Sequence, residues 1–454
     1  MDILTQLIGN VNDVILTYIL IIMLLGCAFW FTYKTKFVQF RMIGEMVRLL
    51  GDSTGKTEGR EHHISSFQAF AISIASRVGT GNLAGVATAI TLGGPGAVFW
   101  MWVIALFGAS SAFIESTLAQ LYKVHGHNSF VGGPAYYMKK GLKQPWMGVL
   151  FAFLLIFTFG FAFNSVQSNT ICAAFEEAFN IPPSLMGVIL TSLTLIIIFG
   201  GIQRIAKVSS IIVPVMALGY IFLSLFIVIV NAKHLPEVIE LIIANAFGWE
   251  QALSGGIGMA LMQGIKRGLF SNEAGMGSTP HAHALAHVKT PHDQGVVAMI
   301  GVFIDTFVVL TMTALVVIST LYAGNGPLAH GAVDGISKTN MAQLAFSSVF
   351  GDTLGNAFVA ICLLFFAFST IVGWNLFGRI NVNYLFGKKA NLAYSIIAII
   401  FIFLGSCLSN DLVWELTDMF NQLMVLPNMI ALVALSGIVA VAARKRSDEH
   451  ELRK

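Results

Sequence analysis

Two short stretches place glycine and polar residues in the middle of long apolar runs. Residues 77–82 read RVGTGN within an apolar run from 64 to 92, and residues 270–278 read FSNEAGMGS within a run from 253 to 285. Glycine costs roughly 1 kcal/mol at a helix position, and hydrocarbon offers no partner to the backbone groups that a broken helix frees. Both stretches therefore predict interrupted helices whose gaps face protein or water.

Such a gap exposes amide N–H groups where the second half-helix begins and carbonyls where the first half ends. One gap can therefore hold an anionic group and a cation together, and a zwitterionic amino acid with sodium fits that pattern. The alternative is that Gly81 and Gly85 form a packing notch between helices. Arg77 and Glu273 favour a functional interpretation, because charges at mid-membrane are expensive and usually line a cavity or pair.

Further polar residues lie in other apolar runs. Residues 366–374, FAFSTIVGW, supply adjacent hydroxyls and an indole; hard cations prefer oxygen ligands, although Ser and Thr in helices also bond back to the preceding turn. Glu115 and Asp305 are buried carboxylate candidates, and either could pair with the arginine of the first gap. Asn164 and Gln167 could contact a substrate or hold helices together.

Two other motifs are weaker. Residues 51–57, GDSTGKT, imitate a phosphate loop but are one residue short and follow a helix-like stretch, so nucleotide binding is not expected. Four histidines cluster at the end of the second interrupted run without a cysteine or carboxylate partner at a metalloenzyme spacing, which predicts a solvated or pH-responsive loop. A membrane-embedded enzyme using three of them with Glu273 is the alternative. The four are His281, His283, His287 and His292, of which the first three would serve the enzyme.

Composition excludes a soluble protein. Of 454 residues, 56% are apolar and only 11% charged, and the mean hydropathy is +0.78, whereas soluble domains carry about 25% charged residues. A net charge of +3 is too small to indicate a nucleic-acid partner. Because the apolar runs are long and do not alternate, they exclude a membrane barrel and predict an all-α polytopic membrane protein embedded in the lipid bilayer.

Lys and Arg positions test the predicted number of spans. With eleven spans, the N-terminus outside and the end of the ninth span from residue 379 counted as inner, 21 of the 26 basic residues lie in inner segments, two in outer segments and three within spans, as the positive-inside rule requires. This predicts a multi-pass protein of the plasma (bacterial inner) membrane with a cytoplasmic C-terminus. The predicted spans are 12–32, 64–92, 96–122, 146–172, 184–201, 208–231, 253–285, 294–323, 351–383, 391–409 and 412–443.

The two interrupted spans divide the chain into repeats. We predict a single transmembrane domain over 1–443, with an extra N-terminal helix at 12–32, five-helix blocks at 64–231 and 253–443, and a basic cytoplasmic tail at 444–454. Five spans per block invert the second block relative to the first, which places the two broken helices face to face at a central site.

Three motifs resemble one transporter family. GTGNLAG at 79–85, GLFSNEAGMGS at 268–278 and FSTIVGW at 368–374 closely resemble the alanine or glycine:cation symporter family, and the likeness extends over nearly the whole chain. The resemblance implies a leucine-transporter-like fold of five plus five inverted helices after one extra helix. It also implies import of small neutral amino acids, alanine or glycine, by alternating access with sodium as the coupling ion, with neither enzymatic activity nor an organic cofactor. A passive amino-acid channel is the remaining alternative, and the sequence does not set the oligomeric state.

The resemblance also implies a site, residue by residue. The substrate carboxylate would lie at the first gap, the ammonium would face carbonyls of the second gap, and aromatic residues would shape a small side-chain pocket. Arg77 in the motif argues against a second sodium beside the carboxylate. The substrate residues would be Thr80, Gly81, Asn82, Gln167, Phe270, Asn272 and Trp374. The sodium ligands would be Ala75, Val78, Phe366, Ser369 and Thr370.

Overall fold

The computed structural model describes residues 2–15, 19–52, 64–126, 129–199, 201–248, 257–329, 336 and 340–451. Within these ranges the chain is almost entirely helical. The described strands are β1, Val124–His125, and β2, Phe130–Val131, which pair antiparallel.

Helices α1 to α4 precede the first interrupted span, α5 and α6 form it, and α7 to α13 follow up to residue 246. The first four are Asp2–Ile15, Ile21–Lys34, Val38–Arg41 and Ile43–Asp52. The next nine are Ser66–Arg77, Ala84–Gly93, Ala97–Leu121, Pro134–Lys140, Pro145–Phe157, Phe163–Phe179, Pro183–Ile198, Gly201–Val230 and Leu235–Ala246. Short 3₁₀ helices lie at Thr80–Asn82 and Ala232–His234, and a π-helical segment at Thr158–Ala162 joins α9 to α10.

Helices α14 to α21 form the rest of the described chain. They are Ile257–Asn272, Pro280–Ala284, Pro291–Phe303, Thr311–Val317, Met341–Phe350, Asp352–Phe386, Ala390–Cys407 and Asn410–Glu451. Two π-helical segments, Ile304–Leu310 and Ile318–Tyr322, flank α17.

Seven continuous helical stretches in the described residues are long and apolar enough to cross a membrane, which supports a polytopic membrane protein. Helices α2 and α11 are apolar but shorter, with 14 and 16 residues. The eleven-span prediction requires that these two and the two interrupted helices cross as well. The run predicted as an N-terminal span, 12–32, covers the end of α1 and most of α2, with residues 16–18 outside the described residues.

The two interrupted helices lie side by side and run in opposite directions. Ile64, before α5, forms a parallel bridge with Ala286, after α15. At the other end, a Cβ on Gly93 of α6 would lie 3.0 Å from the carbonyl oxygen of Met259 in α14. Between these ends, the backbone of Gly81 approaches Ser271. The gaps therefore meet at mid-length, as two oppositely directed broken helices require.

Local sequence explains where each half-helix stops. Helix α5 begins at a capping box, in which the Ser65 hydroxyl accepts the Gln68 N–H and the Gln68 side chain accepts the Ser65 N–H. After α14, three residues take left-handed φ values: Glu273 at 53°, Gly275 at 82° and Gly277 at 89°. Helix α14 ends where Glu273 takes this conformation. Glycine adopts it without the steric cost of a side chain, so Gly275 and Gly277 then turn the chain into α15.

Candidate functional site

Neutral side chains hold the backbone of the first gap. The Gly79 N–H donates to Asn82 Oδ1 at 3.1 Å, and the Thr80 N–H donates to Gln167 Oε1 at 3.2 Å. A Cβ on Gly79 would lie 2.6 Å from Thr370 Oγ1, and one on Gly81 would lie 3.1 Å from Ser271 Cα. Both positions require glycine because neighbouring helices approach the bare backbone.

The Thr370 hydroxyl lies among three backbone carbonyls. Its Oγ1 is 2.8 Å from the oxygen of Ala75, 3.3 Å from that of Val78 and 2.9 Å from that of Phe366. Ser369 Oγ donates to the same Phe366 carbonyl at 2.8 Å. One hydroxyl proton cannot serve three carbonyls at once, so the cluster presents more oxygen lone pairs than it has donors, which suits a hard cation. The five predicted sodium ligands are thus brought together, and the bond back to the preceding turn is present as well.

Aromatic rings form a wall beside the first gap. The Phe270 ring lies against Gly81 and 6.2 Å from the Trp374 ring. Phe163 packs between them, with ring centroids 5.1 Å from Phe270 and 4.7 Å from Trp374. The two predicted pocket aromatics are therefore neighbours, and Phe163 completes the wall. Phe163 belongs to none of the sequence motifs, and its place one residue before Asn164 on a polar stretch of helix is the signal that the sequence offers.

The second gap is occupied by a buried carboxylate of its own. Glu273 Oε1 accepts the Trp374 indole N–H at 2.7 Å, and Oε2 accepts the hydroxyls of Ser278 at 2.7 Å and Ser76 at 3.1 Å. The residue is fully buried. Since the Trp374 N–H is bound to Glu273, Trp374 offers its ring face rather than its donor to the neighbouring pocket.

A second carboxylate covers the amides that follow. Glu115 of α7 accepts the N–H of Gly275 at 3.2 Å and that of Gly277 at 3.1 Å, and it also accepts the side-chain amide of Asn428 at 3.2 Å. The Tyr137 hydroxyl donates to the Asn428 carbonyl oxygen. Freed amides before a half-helix bind anions, and here the protein supplies that anion itself. Asn428 is a further residue that the sequence analysis missed.

Arg77 reaches across both gaps to neutral acceptors. Its Nε donates to the Asn272 carbonyl at 2.7 Å, Nη1 to Ser73 Oγ at 2.9 Å and Nη2 to Thr279 Oγ1 at 3.1 Å. Among the described residues, neither Glu115 nor Asp305 lies within ion-pair distance of it, so the direct pairing considered from the sequence is not formed. Arg77 acts at longer range on the buried carboxylates.

Asp305 joins the two gaps. It lies on the π-helical segment Ile304–Leu310, where Oδ1 accepts Asn82 Nδ2 at 2.8 Å and Oδ2 accepts Ser271 Oγ at 2.9 Å. Thr306 Oγ1 lies 3.2 Å from Oδ2. A fully buried carboxylate held by neutral donors leaves negative potential at the meeting point of the gaps, which favours a nearby cation.

Two buried polar atoms of the predicted substrate residues have no hydrogen-bond partner among the described residues. They are Thr80 Oγ1, in the first gap, and Asn272 Nδ2, at the end of α14. Buried polar groups are almost always hydrogen-bonded, so these two atoms on facing gaps are available to a ligand. Asn164, by contrast, donates to the Gly160 carbonyl of its own chain segment and accepts from Asn375, which is a helix-packing role.

The histidine cluster is a packing feature. His281 contacts the Ser278 carbonyl through Nδ1 and Asn381 through Nε2, and His283 contacts Gln294. The prediction of a solvated loop is wrong for three of the four histidines, because helices α5, α7, α16 and α19 enclose them; His287 is exposed and stacks on Phe130. The three buried ones are His281, His283 and His292. The phosphate-loop-like stretch lies outside the described residues from position 53 onward.

Sequence comparison places these features in a known family. The sequence profile described as "Sodium:alanine symporter family" matches residues 1–453. The chain is 46% identical over 445 residues to the probable sodium/glutamine symporter GlnT of Bacillus subtilis, covering 98% of this chain and 91% of that protein. It is 38% identical over 440 residues to the sodium/alanine symporter AgcS of Methanococcus maripaludis, covering 96% and 95%. The family and these relatives are transporters rather than enzymes.

Comparison with solved structures identifies the fold. The structure of MhsT in complex with L-phenylalanine matches with a TM-score of 0.58 at 14% identity, covering 85% of this chain and 99% of that one. A manganese transporter of Eremococcus coleocola matches with a TM-score of 0.52 at 13% identity, covering 84% and 78%. One of these structures contains L-phenylalanine and the other is a manganese transporter. The fold alone therefore does not determine the substrate. The family profile matches nearly the whole chain, and both relatives align over more than 90% of it. The chain therefore belongs to the sodium:alanine symporter family.

Proposed function

We propose that this protein imports a small neutral amino acid, alanine or glycine, together with sodium by alternating access. The observation that carries the proposal is the first gap, where the Thr80 hydroxyl has no hydrogen-bond partner among the described residues. The backbone N–H groups of Gly79 and Thr80 bind neutral side chains, and the oxygen cluster around Thr370 lies next to them. An anion and a cation can be held there side by side. We place the N-terminus outside and the C-terminus in the cytoplasm, on the basic-residue asymmetry.

The substrate carboxylate belongs at the first gap rather than the second. At the second gap, Glu115 already occupies the amides of Gly275 and Gly277. At the first, the Thr80 N–H is held by the neutral side chain of Gln167, so the protein places no charge of its own on that amide. We assign the carboxylate to Thr80, Gly81 and Asn82.

The ammonium group belongs at the last turn of α14. The Leu269 carbonyl accepts the Glu273 N–H, and the Asn272 carbonyl accepts Arg77 Nε. The final carbonyls of a helix have no partner within the helix, which leaves those of Phe270 and Ser271 for the ammonium. Asn272 Nδ2 lies at the same turn and is a second polar contact for the substrate.

Sodium binds in this proposal to the carbonyls of Ala75, Val78 and Phe366 and the hydroxyls of Ser369 and Thr370. Two of these carbonyls end the half-helix α5, so the ion and the substrate stabilise the same interruption. Coupling arises if sodium favours the substrate-competent state, and linkage then requires the substrate to tighten sodium binding equally. With an inside-negative potential, each net charge imported gains about 2.3 kcal/mol per 100 mV.

Uptake into proteoliposomes tests the proposal. Radiolabelled alanine, glycine and glutamine are offered separately under inward sodium, lithium or proton gradients. We expect alanine or glycine to accumulate above equilibrium only with sodium, and accumulation of glutamine alone would reject the proposed substrate. Equilibration without accumulation would identify a passive channel.

One substitution tests the ion site within the same assay. Thr370→Val keeps the side-chain shape and removes the hydroxyl, so the sodium concentration for half-maximal uptake should rise at least tenfold, while Thr370→Ser should retain most of the wild-type response. Thr194→Val is the matched control, because the hydroxyl of Thr194 is also buried but bonds only to Leu190 of its own helix. An unchanged sodium dependence in Thr370→Val would reject the site.

A further inference from the structure

An apolar groove with a volume of about 280 Å³ opens on the surface of the helix bundle, between α12 and α19. Its lining consists of aliphatic, aromatic and sulfur-containing side chains and one glycine. Ile211 and Val215 of α12 form one edge and are 58% and 68% exposed, and Phe365 of α19, 45% exposed, forms the other. Within the described spans, the one that contains α12 has the smallest buried share of its apolar window, 33%. The groove therefore faces the lipid.

The groove is closed toward the core of the protein. Met216 and Tyr220 line its floor and are both buried. Behind this floor, Met216 Sδ lies 3.8 Å from Ser369 Oγ, and the Tyr220 hydroxyl is bound to Thr313 Oγ1 at 2.6 Å. A Cβ on Gly219, which also lines the groove, would have no atom within 4 Å. A ligand of this groove therefore comes from the membrane and does not share the substrate site.

Two arginines converge on the end of α11, one from each helix that borders the groove. Arg204 of α12 donates through Nη1 to the Ile196 carbonyl at 2.8 Å, and Arg379 of α19 donates through Nη1 to the Ile198 carbonyl at 3.0 Å. Lys207 lies one turn beyond Arg204, and both side chains are exposed. Among the described residues, no carboxylate forms an ion pair with any of the three cations. Their charge is therefore available to an anion.

The cations of α12 lie on the same side of that helix as the groove. Arg204, Ile211 and Val215 are seven and four positions apart, as residues on one helix face are, and Lys207 lies one turn below Ile211. At 1.5 Å per residue, Ile211 is about 10 Å and Gly219 about 22 Å from Arg204 along the helix. The hydrocarbon layer is about 30 Å thick. With the cations at its boundary, the groove thus extends from the nearer leaflet to just past the centre.

We propose that an anionic phospholipid binds here, with its phosphate at Arg204, Lys207 and Arg379 and an acyl chain in the groove. Charge complementarity selects the headgroup, since basic pockets at the cytoplasmic ends of membrane helices bind anionic lipids and guanidinium groups match phosphate oxygens. The basic-residue asymmetry places this end of α12 in the cytoplasm. The groove selects the chain, because a polar ligand would leave its polar groups unpaired there.

Lipid binding to the purified full-length protein tests the headgroup site. Native mass spectrometry in a neutral detergent compares phosphatidylglycerol with phosphatidylcholine of identical acyl chains. Wild-type protein should bind phosphatidylglycerol at least tenfold more tightly, because each basic residue near anionic lipid strengthens binding about fivefold. Arg204→Gln combined with Lys207→Gln should remove this preference and leave phosphatidylcholine binding unchanged.

A second pair of cations provides the matched control for charge. Lys388 and Lys389 are exposed in the loop after α19, so Lys388→Gln combined with Lys389→Gln removes the same charge away from the face of α12 that borders the groove. Phosphatidylglycerol binding to this variant should stay within twofold of wild type. An equal loss in both double variants would show general attraction by net charge and would overturn the headgroup site.

A side chain placed in the groove tests the acyl-chain site. Gly219→Phe has room at its Cβ, so it should fill the groove and weaken binding of both lipids at least fivefold. Gly437→Phe is the matched control, because Gly437 is an exposed glycine of α21 whose added Cβ would also have no atom within 4 Å. Both lipids should bind to it as they bind to wild type. Gly219→Leu is a smaller obstruction if Gly219→Phe does not fold.

Three further results would overturn the proposal. Equal affinity of the wild-type protein for the two lipids would reject recognition of the headgroup, and unchanged lipid binding in the Gly219 variants would reject the groove. A homodimer that excludes lipid and that Gly219→Phe dissociates would assign this face to a second copy of the chain. The proposed transport function fails independently, because none of these measurements involves sodium or an amino acid.

Discussion

The two helix gaps have the same kind of sequence and opposite contents. The first gap, around Thr80, is held by the neutral side chains of Asn82 and Gln167. The second gap is filled by the protein's own charges, with Glu115 on its amides and Glu273 bound to Trp374. A broken helix therefore exposes backbone groups that can bind a ligand. Whether those groups remain available depends on the charged side chains around them.

This difference assigns the gaps to different tasks. On its amide side the second gap is a fixed structure, since Glu115 binds the amides of Gly275 and Gly277, and the proposed substrate contacts there are confined to the last turn of α14. The first gap retains an unpartnered hydroxyl and a carbonyl-rich pocket under Thr370. Substitutions on the amide side of the second gap should therefore damage folding, and substitutions at the first gap should damage binding.

Glu115→Ala should have the largest effect and should act on stability. It leaves the amides of Gly275 and Gly277 and the Asn428 side chain without their acceptor, and loss of one partner from a buried charged network costs about 3 kcal/mol or more. The thermal unfolding midpoint of the purified protein should fall clearly. Glu177→Ala, on the exposed side of α10, should leave it unchanged, and a stable Glu115→Ala protein that merely binds alanine less well would contradict the assignment of the second gap.

Asp305→Asn tests the point where the gaps meet. It preserves the shape that contacts Asn82 and Ser271 but removes the negative charge, so the sodium concentration for half-maximal alanine binding should rise about tenfold, or about 1.4 kcal/mol. Asp352→Asn, at the exposed start of α19, controls for a general charge effect. If sodium dependence is the same in both variants, the Asp305 carboxylate does not favour the cation.

Gln167→Ala should have the smallest effect and should act on binding. The Thr80 N–H loses an uncharged acceptor, and the cost of one such hydrogen bond is about 1 kcal/mol, so alanine should bind about fivefold more weakly by calorimetry while thermal unfolding changes little. Asn164→Ala removes a similar amide one turn earlier on the same helix and should not weaken alanine binding. A larger loss of stability in Gln167→Ala than in Glu115→Ala would reverse the comparison.

The position of the gaps could be predicted from the sequence alone. Glycine and polar residues at 77–82 and 270–278 stand out within apolar runs, and the structure ends α5 at Arg77 and α14 at Asn272. The cluster of Thr370 with Ala75 and Val78 followed from the family resemblance, since those residues are almost 300 positions apart.

Long-range partners could not be predicted. Nothing near Glu115 indicates that the N–H groups that donate to it lie at Gly275 and Gly277, because that contact depends on how α7 packs against the second gap. The histidines were expected in a solvated or pH-responsive loop because they lie at the inner end of a predicted span, and tertiary packing buries His281 and His283. The first predicted span, which starts at residue 12, misses the start of α1 at Asp2, because the polar residues of that helix lower its hydropathy.

Amide hydrogen exchange measured at both gaps tests the central claim most directly. Purified protein is compared without ligand, with sodium alone and with sodium plus alanine. We predict that the amides of residues 79–82 gain protection only with both ligands, while those of residues 273–278 are already protected without them and do not change. Ligand-dependent protection at 273–278 with none at 79–82 would contradict the account.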